Sequence, residues 1–217
     1  MLRWLVDKQL YAAPAATLPP TPTIRRLAAS NMPCLFHKTA GARRLLLFLH
    51  GNQSSLDDVY QTRLHERLGQ YHNCDVLAIT YPGYPHASRA RGYGDRDVET
   101  MRYILPALRE ALLAYSDFWL VGHSLGAAVA LQCCQYVRPT GVLLISPFTS
   151  LAHVAAHRYG ELGRWVIGSR WDNLSHISNV KAQCLIVHGL QDDIVPHEQS
   201  RRLYTRCTAA RKHWVTL

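Results

Sequence analysis

Two hydrophobic rhythms alternate along most of this 217-residue chain. RLLLFLH (44–50), CDVLAITYP (74–82), FWLVG (118–122), GVLLISP (141–147) and CLIVHG (184–189) are short apolar runs with no polar face. Such runs predict strands buried on both sides. PCLFHK (33–38) and HWVTL (213–217) predict shorter strands. Between them lie segments with helical spacing. In SSLDDVYQTRLHERLG (54–69), Ser55 can cap a helix whose stripe is Leu56, Val59, Tyr60, Leu64 and Leu68, with Gly69 as its stop. Residues 95–116 predict a helix broken or kinked at Pro106, 124–136 a helix rich in small residues, and 198–207 another. Strands alternating with helices predict an α/β fold, a mostly parallel central sheet with helices on both faces.

This pattern begins near residue 33. Residues 1–32, with Pro14, Pro19, Pro20 and Pro22, read as an irregular arm. Residues 33–217 read as one domain, as the length allows. The segment 148–183 is longer than a simple crossover and predicts a short cap-like insertion. Its Tyr159, Trp165 and Trp171 either line a pocket or pack the cap down.

Composition narrows the functions. An apolar fraction of 48% is that of a globular protein. No apolar run approaches the roughly 18 residues of a membrane span. Asp7 and Lys8 interrupt the N-terminal apolar stretch, which argues against a secretory leader. Leu2, Trp4 and Leu5 either pack on the domain or form an interfacial anchor. The formal charge of +9 is scattered, with RR pairs at 25–26, 43–44 and 201–202 and no longer run. A nucleic-acid partner is not expected. Peripheral contact with an anionic membrane is a secondary expectation. The six cysteines form no CxxC, and Cys133 and Cys134 lie side by side in an apolar helix. Reduced, buried thiols and a cytoplasmic location fit best.

The chemistry concentrates in three places. Gly122-His123-Ser124-Leu125-Gly126 is a G-x-S-x-G string with a buried strand entering and a helix leaving. The resulting sharp turn lifts Ser124 above the carboxyl end of the sheet as a nucleophile, and aims the Leu125 N–H at a developing oxyanion. In FLHGNQSS (48–55), His50 and Gly51 end a strand and the Asn52 N–H is placed as a second oxyanion donor. In VHGLQDDIVP (187–196), Asp192 and Asp193 both have the chemistry to orient an imidazolium.

GHSLG, HGN and HGLQDDIVP, in this order and spacing, resemble the α/β-hydrolase superfamily, and more narrowly its small serine hydrolases that include protein depalmitoylases. YPGYP (81–85) is similar to that family's loop after the second strong strand. The resemblance spans about residues 33–217. It implies Asp192 as the acid and a reaction at ester or thioester bonds through an acyl-enzyme. The substrates implied are small acyl esters or S-acylated proteins. It implies no metal and no cofactor.

The family's histidine base follows the last strand, and this sequence stops at Leu217. His213 opens that strand at its far end, and His197 shares the turn of the acid. His50, His123 and His188 read as structural. The expectation is therefore a serine hydrolase deficient for want of a base. A non-catalytic binding or scaffold protein on the same fold is the alternative.

Overall fold

The computed structural model describes residues 24–87, 97–167 and 170–217, together with Pro14. Its strands are β1 (Arg25–Arg26), β2 (Pro33–His37), β3 (Arg44–Leu49), β4 (Asp75–Ile79), β5 (Asp117–His123), β6 (Gly141–Ile145), β7 (Gln183–His188) and β8 (Lys212–Thr216). They form one sheet of eight strands in the order β1-β2-β4-β3-β5-β6-β7-β8. β1 and β2 pair antiparallel, and every pairing among β3 to β8 is parallel. The helices are α1 (Leu56–Gln61), α2 (Leu64–His72), α3 (Asp97–Leu112), α4 (Leu125–Cys133), α5 (Leu151–Ile167), α6 (Asn173–Ile177) and α7 (His197–Arg206).

The apolar runs are strands because both sheet faces are covered. Leu45, Leu47 and Leu49 of β3 join a core with Leu77, Leu120, Val142, Ile104, Leu151 and Leu203, under α3 to α7. Leu46 and Phe48 point the other way and join Val76, Val121, Leu56 and Val59, under α1 and α2. Each fully buried leucine contributes roughly 1.5–3 kcal/mol, so β3 is a main source of stability. The second face is less well covered toward the last strands. Leu143, Ile145, Leu185 and Val187 are half-buried there, and Val215 is exposed.

The structure departs from the sequence pattern in a few places. The helix expected over 54–69 is two helices, because Arg63 adopts a left-handed backbone (φ 52°, ψ 28°). Gly69 does not stop the second. α2 runs on to His72, and the left-handed Asn73 ends it with its N–H on the Gly69 carbonyl. Gly69 is instead a point of close approach, where an added Cβ would stand 2.4 Å from the His37 ring. α3 passes through Pro106 unbroken, with the proline on its exposed side where water can satisfy the freed carbonyl. Arg25–Arg26 pair with Cys34 and Pro33, so the end of the segment read as an arm enters the sheet. Leu2, Trp4 and Leu5 lie outside the described residues.

Candidate active site

Ser124 occupies the hinge between β5 and α4, at φ 52° and ψ −112°. A side chain rarely adopts this conformation, which costs about 1–3 kcal/mol and persists only where the surroundings impose it. Here they do. An added Cβ at Gly122 would stand 2.3 Å from the Gly126 carbonyl oxygen, and one at Gly126 would stand 2.0 Å from the Leu49 carbonyl oxygen. The two glycines thus let α4 start directly above the end of β3. The Ser124 N–H donates to the Ile145 carbonyl (2.8 Å), tying the turn to β6. α4 is buried all round and apolar except for Gln132, whose amide donates to Asp97 (3.1 Å). The Leu125 N–H opens this helix, where the first amides have no intrahelical acceptor.

The turn after β3 lies beside this hinge. An added Cβ at Gly51 would stand 2.8 Å from the His123 Nδ1. His50 is buried; its Nδ1–H donates to the Gly51 carbonyl (2.8 Å), and burial lowers its pKa to about 4, so it is neutral. The loop after β4 grips this turn from the far side. Tyr81 donates its hydroxyl to the His50 carbonyl (2.9 Å), and Tyr84 donates to the Asn52 Oδ1. Both rings pack on His50, with centroids 4.4 and 5.1 Å away. His86 then donates to the buried Asp57 carboxylate at the start of α1. YPGYP was recognisable as a motif, but the two tyrosine hydrogen bonds that hold the Asn52 turn were not.

The loop after β7 carries the two candidate carboxylates. Asp192 is half-buried and Asp193 exposed. Asp192 Oδ1 accepts from the Ile194 and Val195 N–H groups (3.1 and 2.9 Å), and its Oδ2 lies 3.4 Å from His188 Nε2. His188 is fully buried and donates from Nε2 to the Val195 carbonyl (2.7 Å). The same histidine therefore closes the loop and steadies the carboxylate. Desolvation lowers the pKa of His123, and the charge of Asp192 partly offsets this, which places Asp192 near the Ser124 hinge.

The histidines sort clearly. His213 is exposed and pairs with Leu185, well before the carboxyl end of β7. His197 stacks on Trp214 at 6.4 Å and lies 3.5 Å from Glu198. Among the described residues no histidine hydrogen-bonds Ser124, and the one against Asp192 is His188, engaged with its own loop.

The family described as alpha/beta hydrolases matches residues 46–215, from β3 into β8. The chain belongs to the alpha/beta hydrolase family. Within it, the chain is 25% identical over 189 residues to alpha/beta hydrolase domain-containing protein 17B of Xenopus tropicalis, covering 84% of this chain and 62% of that one. The 17C protein of Mus musculus is 25% identical over 192 residues, covering 85% and 57%. The chain thus spans about three fifths of the length of those relatives. Among solved structures it is similar in fold to an esterase of Pyrococcus furiosus (TM-score 0.73, 17% identity, 94% of this chain and 87% of the other). It is also similar to a meta-cleavage product hydrolase of Pseudomonas fluorescens (TM-score 0.66, 16% identity, 91% and 90%).

The segment between β6 and β7 holds α5, turned at Gly160 (φ 69°, ψ −170°), and α6. Ser150, Ala152, His153, Glu161, Arg164, Trp165 and Asp172 line a cavity of about 500 Å³ that does not include Ser124, Asn52, Leu125 or Asp192. Of the three aromatics expected to line a pocket or pack, Trp165 forms a wall of this cavity. Trp171 is wholly buried, and Tyr159 packs against the core. Among the described residues no group of histidine, cysteine and carboxylate side chains is disposed to hold a metal ion.

Proposed function

We propose that this protein is a serine hydrolase of carboxylic esters or thioesters. Ser124 attacks the acyl carbonyl, the Leu125 and Asn52 N–H groups hold the oxyanion, and Asp192 orients a histidine. The observation that carries the reading is the backbone of Ser124. A left-handed serine forced upward by two glycines in contact with backbone has no structural use that a looser turn would not serve. Small acyl esters and S-acylated proteins are the substrates in view, cleaved without metal or cofactor. Cytoplasmic residence with peripheral membrane contact suits such substrates.

No described histidine is bonded to Ser124, so the polypeptide 1–217 is proposed to turn over slowly. Loss of the histidine of such a triad costs on the order of a millionfold in kcat, with binding and the oxyanion hole leaving some rate above water. The same observation favours the second reading, a binding protein on the hydrolase fold. Fluorophosphonate labelling, with hydrolysis of p-nitrophenyl esters against matching anilides, separates them. Weak labelling and slow ester cleavage, both abolished by Ser124→Ala, support the enzyme. Labelling that survives Ser124→Ala sinks it, and so does an unmodified Ser124 under prolonged exposure. Fast turnover lost on His123→Ala, His197→Ala or His213→Ala would name an internal base.

A further inference from the structure

The proposed reaction uses only the carboxyl end of the sheet. The opposite end is basic. Across the short segments that lead into or open β3, β5, β6, β7 and β8, the one acid is Asp117, and Arg44 takes it (2.8 Å). That leaves Arg43, Arg138, Lys181, Arg211 and Lys212. Lys212 donates to the Tyr204 and Cys207 carbonyls (3.0 and 2.7 Å), and Lys181 to the Thr208 hydroxyl (3.2 Å). Lys212 thus also serves the structure, since a cation complements the carbonyl end of a helix. The Arg43, Arg138 and Arg211 side chains serve nothing of the kind. They are exposed and make no hydrogen bond or ion pair among the described residues. Arg44 lies opposite Asp117, Gly141 opposite Gln183 and Cys184 opposite Lys212, so these segments share one edge. At roughly 4.8 Å per strand, the row from β3 to β8 is about 19 Å long.

A cleft of about 890 Å³ opens within this row, between residues 134–140 after α4 and residues 179–183 before β7. Its walls carry Arg138 and Lys181, the carboxamides of Gln135, Asn179 and Gln183, and no carboxylate. The Asn179 amide donates to Gln135 Oε1 (3.1 Å) and fastens the two walls together. The arginines elsewhere are balanced. Arg164 shares its cavity with Glu161 and Asp172, and the arginines of α7 share theirs with Asp172 and Glu198. The chemistry of the walls names the occupant. Guanidinium and ammonium groups recognise carboxylates, and a carboxamide offers the donor and acceptor that a peptide backbone pairs with. An extended peptide advances roughly 3.3 Å per residue, so about six residues run the length of the row. A bilayer fits less well. It needs apolar side chains standing proud of the cations, and among the residues lining the cleft only Tyr136 is large, apolar and exposed.

We propose that the amino end of the sheet is a docking surface for an acidic, extended polypeptide segment of a partner protein. Arg138 and Lys181 hold its carboxylates in the cleft, the carboxamides meet its backbone, and Arg43 and Arg211 extend the grip along the row. Ser124 follows the other end of β5, a strand of seven residues, so it stands roughly 23 Å away. A docked partner leaves it uncovered. Nothing in this proposal depends on the chemistry at Ser124.

The test titrates the whole chain into a fluorescein-labelled decapeptide of alternating glutamate and serine and reads anisotropy at low salt. Saturable binding that weakens as sodium chloride rises is expected, with none of the lysine–serine counterpart. Arg138→Gln with Arg211→Gln weakens it by about tenfold. Arg67→Gln with Arg102→Gln removes the same charge from the exposed sides of α2 and α3 and changes it by less than about twofold. Ser124→Ala leaves it unchanged. Equal losses from the two double variants would reduce the effect to net charge and overturn the proposal. So would the absence of saturable binding by the wild-type chain. Phosphatidylserine vesicles that bind through Arg138 and Arg211 more tightly than the peptide would replace the acidic segment with a membrane, and overturn it as well.

Discussion

At the scale of single residues, positions without a side chain constrain Ser124 more than any bond to it. Gly122 and Gly126 touch backbone on their Cβ sides, so no neighbour can rotate away from a substituent. His50, beneath the turn that carries Asn52, is the complementary case, a titratable ring kept neutral by burial. The unfolded chain protonates His50 as pH falls through 6.5, the folded chain only near 4. Between these values the unfolded state binds more protons. Stability is therefore whole above pH 6.5 and declines toward pH 4, by about 3 kcal/mol from this ring. His65, His123 and His153, lowered first by desolvation, add the same sign. Urea unfolding at pH 7 and pH 4.5 should show a smaller difference for His50→Asn than for the parent; equal differences would assign the acid sensitivity elsewhere. The turns after β3, β5 and β7 that carry Asn52, Ser124 and Asp192 were legible because their motifs fix backbone geometry locally. Tyr84 was not, since its partner Asn52 follows the neighbouring strand β3, far away in sequence, and no spacing rule connects them.

At the scale of elements, the buried strands were legible because parallel pairing under two helical layers leaves no polar position. The helices were less so. A stripe of Leu56, Val59, Leu64 and Leu68 fits one helix or two, and the left-handed Arg63 that decides between them answers to packing rather than to propensity. Pro106 shows the reverse, a strong local signal overridden by tertiary contacts, since Ile104, Ala107 and Leu108 are wholly buried on either side of it. The exposed proline still lacks a hydrogen bond that alanine would restore. Pro106→Ala should stabilise the fold by about 1–2 kcal/mol, the interior helix penalty less the entropy that proline removes from the unfolded chain. A rise in the urea midpoint at unchanged m-value would show it. A fall would mean that α3 bends at Pro106 to meet the core.

At the scale of the whole molecule, the sheet order and the helical covering follow from chain alternation, and the family match over residues 46–215 agrees with both. What the sequence could not convey is how evenly the covering is spread. The face of β6, β7 and β8 opposite α7 carries Leu143, Ile145, Leu185, Val187 and Val215 only partly shielded from water. A surface of this kind gives the protein a colloidal character set by two opposed forces. The formal charge of +9 keeps copies apart in dilute buffer, while the open apolar strip draws them together. Salt shortens the reach of the first, from about 10 Å at 0.1 M to about 3 Å at 1 M, and leaves the second intact. Light scattering should therefore rise with sodium chloride and fall again when the salt is dialysed away, with Val215→Lys blunting the response. Clearing of the solution by salt would mean that attraction between unlike charges holds the copies together instead.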